Sequence, residues 1–188
     1  MYTYSQNDHP IDRWQAKIAS SLHNSYQNNN MRYGTNTEEK ALRVFQEKTD
    51  GNLYRAGLII NKHLPCFGFS PDAFLLKNGK ISVVEVKCPV AGTTETLDKM
   101  LSSCSYLRNV GGKFEVRKKH QYYGQMQLGL FLTNCENCHF VLYNKTENRN
   151  YVTIVKADKL FQKNLITNLV KVYLSYYLPH LKHNYRSL

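Results

Sequence analysis

Two carboxylates and one ammonium fall in the most strongly patterned stretch of the sequence. Asp72 follows Ser70-Pro71, and Glu85 and Lys87 open the run Glu85-Val86-Lys87-Cys88-Pro89. Between them lies Asn78-Gly79, flanked by runs of alternating apolar residues. Both residues tolerate the positive φ of a type I′ turn, which makes Asn-Gly the strongest short-range hairpin signal. A two-residue loop there pairs Lys77 with Lys80 and, further down the ladder, Asp72 with Glu85. Counted from the closing pair, 72/85 belongs to the non-hydrogen-bonded class, with Cα atoms only about 4.5 Å apart. Lys87 shares the face of Glu85, because side chains two apart on a strand point the same way.

Like charges opposed across a strand pair are destabilising. A divalent cation between them reverses the sign of that interaction. Oxygen-only ligands favour Mg²⁺, with Mn²⁺ able to substitute, and Mg²⁺ keeps several of its waters. A metal-bound water becomes a better nucleophile, and Lys87 can orient it or stabilise charge growing on a phosphate. If Lys87 acts as a base when neutral, the reaction prefers alkaline pH. These groups point to phosphodiester hydrolysis. The alternative is a surface Asp–Lys–Glu cluster held by salt bridges alone.

Such a site needs a frame. Helical spacing of Trp14, Ile18, Leu22 and Tyr26 predicts a helix over 10–27, with a polar break at 27–30. A second helix is expected from Thr37 to Thr49, with Ala41, Leu42 and Phe45 inward and Gly51 beyond its end. Strands are expected at 53–60, 67–77 and 80–87, then a mobile loop or irregular helix over 93–112 and a helix over 117–133. Strands near 139–144 and 151–156 precede a long helix, 158–178, stopped by Pro179. Its stripe of Phe161, Leu165, Leu169, Val172 and Tyr176 reads as core. The order predicts one α/β domain over 1–188, without repeat or linker.

Composition sets the context. The chain has 188 residues, a net charge of +11 and 42% hydrophobic residues, enough for a core without disulfides. No run of about 18 uncharged apolar residues occurs, so no membrane span is expected. Met1 to Asp8 lacks the basic start and apolar stretch of a signal peptide. Five cysteines, an odd and scattered set, fit a reducing compartment. The expectation is an intracellular basic domain of nucleus or cytoplasm, with a polyanionic partner. Charge alone does not separate nucleic acid from an acidic membrane or protein.

Ser70-Pro71-Asp72 with Glu85-Val86-Lys87-Cys88-Pro89 resembles the signature of the PD-(D/E)xK nuclease superfamily. In detail it resembles the lambda exonuclease and viral alkaline nuclease branch, the YqaJ-type viral recombinases. Two further segments are similar to that branch: Met31-Arg32-Tyr33-Gly34-Thr35-Asn36-Thr37-Glu38 and Tyr122-Tyr123-Gly124-Gln125-Met126-Gln127. Arg13, Ala19 and Ser20 keep the spacing of its N-terminal segment, although Ile18 stands where the branch has Thr. The resemblance implies a restriction-endonuclease-like core, a central mixed sheet flanked by helices. It implies a Mg²⁺-dependent deoxyribonuclease, a 5′→3′ exonuclease on linear double-stranded DNA ends, serving DNA recombination and repair. Asp72 and Glu85 would hold the metal, with the Val86 carbonyl as a third ligand and Glu38 in support. Lys87 would activate or position water, and Gln125 would orient Lys87 or the scissile phosphate. Arg13 and Ser20, with Lys17 close by, would grip a 5′-terminal phosphate. A single-strand-annealing protein is an implied partner; some relatives assemble as homo-oligomeric rings and others act as monomers.

Each assignment has a plainer rival. Thr35-x-x-Glu38 is also a capping box, with Glu38 bonding the N-cap amide. Arg13 fits an ordinary amphipathic helix. Gln125 and Gln127 on a helix would ordinarily face solvent, although Gln125 shares a side with Gln121 and Lys118. Lys113, Arg117, Lys118 and Lys119, beside His120, form a solvated face or a contact to a duplex backbone. Cys135-Glu136-Asn137-Cys138-His139 matches a haem-attachment motif and half a zinc site, but reads first as a turn before a strand. Cys88 reads as a small buried hydrophobe. For the whole chain the rivals are an endonuclease, an RNA-cleaving enzyme with the same residues, or a non-catalytic nucleic-acid-binding module.

Overall fold

In this computed structural model, which describes residues 11–23 and 29–184, Asn78 and Gly79 both take positive φ, 51° and 71°. The chain runs through α1 (Ile11–His23), α2 (Asn29–Glu47), β1 (Asn52–Tyr54), β2 (Ile59–Asn61), β3 (Leu64–Phe69), β4 (Ala73–Lys77) and β5 (Lys80–Lys87). It continues through α3 (Leu97–Ser103), β6 (Leu107–Val110), β7 (Lys113–Val116), α4 (Gln121–Thr133), β8 (Asn137–Asn144) and β9 (Arg149–Lys156). Last come α5 (Lys159–Val172) and α6 (Leu178–Asn184). The β4–β5 hairpin has the expected register, from Lys77 opposite Lys80 to Ala73 opposite Val84.

These elements form two compact units. In the larger, residues 27–158, five strands make a mixed sheet in the order β1-β4-β5-β8-β9. Only β5 and β8 pair in parallel, Glu85 opposite Phe140, so the chain between them must cross over, as a parallel pair requires. Alternation along β5 then assigns its two faces. Val84 and Val86 join Val141, Tyr143 and the apolar side of α2 (Ala41, Leu42, Val44, Phe45) in one core. Glu85 is turned to the opposite face, where α4 lies and Gln125 reaches it. Gly129 lets α4 approach β3: a Cβ there would come 2.5 Å from the Phe69 ring, which is itself buried. In the smaller unit α1 packs through Trp14, stacked on Tyr176 with ring centroids 4.8 Å apart. Leu165, Leu169 and Val172 of the predicted stripe are buried.

Several expectations need correction. The second helix begins at Asn29, so Thr35 lies inside it and cannot be an N-cap. The capping-box reading of Glu38 falls with it. The strand expected at 53–60 is two, because the chain changes partner between Tyr54, paired with β4, and Ile59, paired with β3. The strand expected at 67–77 breaks at Ser70–Asp72, where Pro71 has no N–H for a ladder. Residues 93–112 are ordered: α3 buries Leu97, Met100 and Leu101, and β6 with β7 forms a hairpin over Gly111-Gly112, both at positive φ. The Tyr151 hydroxyl secures that hairpin, accepting from the Phe114 N–H at 2.8 Å and donating to its carbonyl at 3.1 Å. The basic run precedes α4 rather than lying in it, since His120 is the N-cap and accepts from the Tyr122 N–H. Pro179 does not stop the last helix. A π-turn at Tyr173–Tyr177 widens the chain just before it, and α6 carries on through the proline. Met1 to Pro10, Tyr26 and Gln27-Asn28 of the expected pattern lie outside the described residues. Among the described residues no helix is long and apolar enough to cross a membrane.

The α4–β3 contact gives a direct test. Gly129→Ala is expected to destabilise the chain by about 1–3 kcal/mol, the usual range for overpacking. Urea denaturation would read it, and an unchanged midpoint would contradict this packing.

Candidate active site

Glu85 is the centre of the constellation, and it is only 2% exposed. Its Oε1 accepts hydrogen bonds from Lys87 Nζ at 2.6 Å and Gln125 Nε2 at 2.8 Å. Its Oε2 is buried with no hydrogen-bond partner among the described residues. A buried carboxylate is costly unless its oxygens are met, so a cation at Oε2 would offset that cost. Asp72 stands on the bend before β4, and its Oδ2 accepts the Val86 N–H at 2.6 Å. A side chain therefore supplies the rung next to Pro71. Lys87 Nζ also donates to the Val86 carbonyl at 3.1 Å and lies 5.1 Å from the Tyr122 ring centroid. With Glu85 this deep, the group is no surface cluster of solvated salt bridges.

Electrostatics follow from this crowding. Burial, and then the Glu85 carboxylate, push Asp72 up to about 6, against the opposing pull of Lys87, the Val86 N–H and Arg55. Burial and then Asp72 raise Glu38, whose Oε1 is held by Arg55 Nη1 at 3.0 Å. For Lys87, burial works against the ammonium, but Glu85 and Asp72 outweigh it and leave the pKa above its ordinary value. Lys87 is therefore a firm cation here. That fits the expected orienting and charge-stabilising role better than the role of base.

The donors are hard oxygens: the Asp72 and Glu85 carboxylates and the Val86 carbonyl. Among the described residues no group of three or more His, Cys, Asp and Glu side chains converges as a ligand set. A cation here would need water for the rest of its shell, which suits Mg²⁺. Glu38 lies within the field of Asp72 without completing a three-carboxylate cage.

The other expected residues are placed as follows. Gln125 joins the site from α4. Gln127, expected in solvent, is fully buried: its Nε2 donates to the Lys156 carbonyl and its Oε1 accepts the Asp158 N–H. Arg13, Lys17 and Ser20 share the exposed side of α1, opposite buried Trp14 and Ile18. The Ser20 hydroxyl donates to the Lys17 carbonyl. Lys113, Arg117, Lys118 and Lys119 are all exposed; Arg117 donates to the Leu107 carbonyl and Lys118 pairs with Asp158 at 2.8 Å. Cys135 and Cys138 are buried free thiols, and burial holds Cys138 well above its ordinary value. His139 lies in β8 against the Phe45 ring. Burial pushes Cys88 up to about 12, and it packs against the α2 core. Sequence reasoning missed Arg55, whose signal was a lone cation in an apolar run, and gave no role to Tyr122.

A family model of the YqaJ-like viral recombinase domain matches residues 1–136. No curated protein matches the chain. Among solved structures it is similar to an alkaline exonuclease from Laribacter hongkongensis, with 20% identity, a TM-score of 0.71 and coverage of 98% of this chain and 90% of that one. The same exonuclease in complex with dAMP aligns with a TM-score of 0.66 at 20% identity, covering 95% and 87%. A phage-related exonuclease from Haemophilus somnus aligns with a TM-score of 0.57 at 15% identity, covering 89% and 82%. These likenesses establish the fold, a mixed five-stranded sheet flanked by helices.

The crowding of Asp72 has a pH signature. Without metal, the folded chain binds the Asp72 proton more tightly than the unfolded chain does. That contribution to stability is present below the ordinary Asp value, about 4, and is lost as pH rises through about 6. Urea denaturation should show the wild type losing stability across this window relative to Asp72→Asn, and excess Ca²⁺ should cancel the loss. Parallel pH profiles for the two proteins would contradict the assignment.

Proposed function

This chain belongs to the YqaJ-like viral recombinase domain family and is a nuclease; from that premise we propose a Mg²⁺-dependent deoxyribonuclease that degrades linear double-stranded DNA 5′→3′ from its ends. Mn²⁺ would substitute. The observation that carries this reading is the buried Glu85 carboxylate, one oxygen held by Lys87 and Gln125 and the other without a partner, in the field of Asp72.

Asp72, Glu85 and the Val86 carbonyl would hold the metal, with Glu38 in support. Bound there, the metal would supply a water of lowered pKa and neutralise charge on the phosphate. The protein's own part is orientation. Lys87, kept as an ammonium, has one N–H beyond those given to Glu85 and the Val86 carbonyl, for a water or for the phosphate oxygen on which charge grows. Gln125 fixes Glu85 and, through it, Lys87. The exposed cations Lys113, Arg117, Lys118 and Lys119 suit a duplex backbone. Arg13, Lys17 and Ser20 suit a 5′-terminal phosphate. The family match covers residues 1–136, parts of both units, which supports one nuclease domain over 1–188. A homo-oligomer and a single-strand-annealing partner, in DNA recombination and repair, belong to the same reading.

The test uses linear duplex labelled at one end, with and without a 5′-phosphate, beside nicked and closed circles and RNA. Stepwise Mg²⁺-dependent shortening of phosphorylated linear ends is expected, with Ca²⁺ inactive. Lys87→Ala should bind duplex in Ca²⁺ as the wild type does and cleave about 10²–10³-fold more slowly or worse. Cutting of closed circles would make this an endonuclease, and cutting of RNA alone would change the substrate. Wild-type cleavage by Lys87→Ala would remove the role of the lysine.

A further inference from the structure

Arg55 has no place in the reading above. It follows β1 in an otherwise apolar run, Leu53-Tyr54-Arg55-Ala56-Gly57-Leu58. Its Nη1 meets Glu38 Oε1 at 3.0 Å; the Arg55 side chain is 58% exposed and that of Glu38 24%. The guanidinium thus runs from a half-buried carboxylate to solvent. Its charge is also felt by Asp72. Glu38 stands in the field of Asp72, yet does not form one ligand group with Asp72 and Glu85 among the described residues.

We propose that Arg55 is a positioning residue that exchanges partners: it holds Glu38 as an ion pair until a phosphodiester of bound DNA takes the guanidinium and frees Glu38 for the cation at Asp72 and Glu85. This rests on the nuclease reading and adds a coupling to it. An ion pair with one side mostly in water is weakly held. A phosphodiester offers two oxygens that match the guanidinium fork, so exchange replaces one charge-assisted contact with a bidentate one. A freed Glu38 would face Asp72 across like charge, which favours release only where a cation is present. DNA and metal then strengthen each other, and linkage requires the same factor in both directions.

The experiment measures Ca²⁺ affinity of the full chain, by calorimetry, with and without a short linear duplex. For the wild type, duplex should tighten Ca²⁺ binding by about 5- to 10-fold or more, within the usual range of coupling. Arg55→Gln should bind Ca²⁺ more tightly than the wild type without DNA, bind duplex more weakly, and lose most of the coupling. Arg55→Lys, which keeps charge but not the fork, should be intermediate. Glu38→Gln should lose the coupling as well, which separates this effect from simple attraction of cations by DNA. A merely structural ion pair would lower the Tm of Arg55→Gln and leave the coupling intact, and that result would overturn the proposal. Wild-type coupling in Glu38→Gln would overturn it too. If the wild type binds no duplex at all, the nuclease reading fails and takes this proposal with it; duplex binding with unaltered coupling in Arg55→Gln removes this proposal alone.

Discussion

A carboxylate kept almost wholly out of water needs its charge met by neighbours, and Glu85 has that need met on one oxygen only. The architecture of the larger unit follows from that constraint. The parallel pairing of β5 with β8 buries the strand on both faces, and the crossover it demands brings α4 over Glu85. The Asn78-Gly79 hairpin brings Asp72 to the same end of the sheet, where its carboxylate takes the Val86 N–H. Lys87 neutralises one oxygen from two residues away on the same strand.

The groups around Glu85 divide the electrostatic work. Lys87 is drawn toward permanent charge by the acids beside it, while Asp72 is pushed toward its neutral form by burial and by Glu85. Both shifts are upward: crowded acids whose repulsion a cation would relieve stand beside an ammonium that would suit an anionic substrate. Lys87 also lies over the face of Tyr122, which packs with Tyr106 and Phe140, so one side of the ammonium rests on an aromatic cluster.

The parts legible in the sequence were local. The hairpin turn and its register follow from alternation around Asn78-Gly79, and the structure keeps them from 77/80 to 73/84; Asp72 lies just past the ladder, not paired with Glu85, and meets β5 through its carboxylate at the Val86 N–H. The parts that failed depend on distant partners. Residues 93–112 carry serines and a Gly-Gly pair that read as loop, but the hairpin there is secured by Tyr151, 37 residues beyond Phe114. Gln127 is buried because backbone groups at Lys156 and Asp158 satisfy its amide. Arg55 finds Glu38 17 residues away, across the end of α2 and all of β1. Thr35 looked like a cap because the pattern hid a helix that starts six residues earlier.

The central claim is that Asp72 and Glu85 together hold one divalent cation. Electron paramagnetic resonance of Mn²⁺ titrated into the purified chain measures bound metal without any turnover. The account predicts one bound Mn²⁺ for the wild type, lost in both Asp72→Asn and Glu85→Gln, with the fold of each variant intact by circular dichroism. Undiminished binding in both folded variants would contradict it.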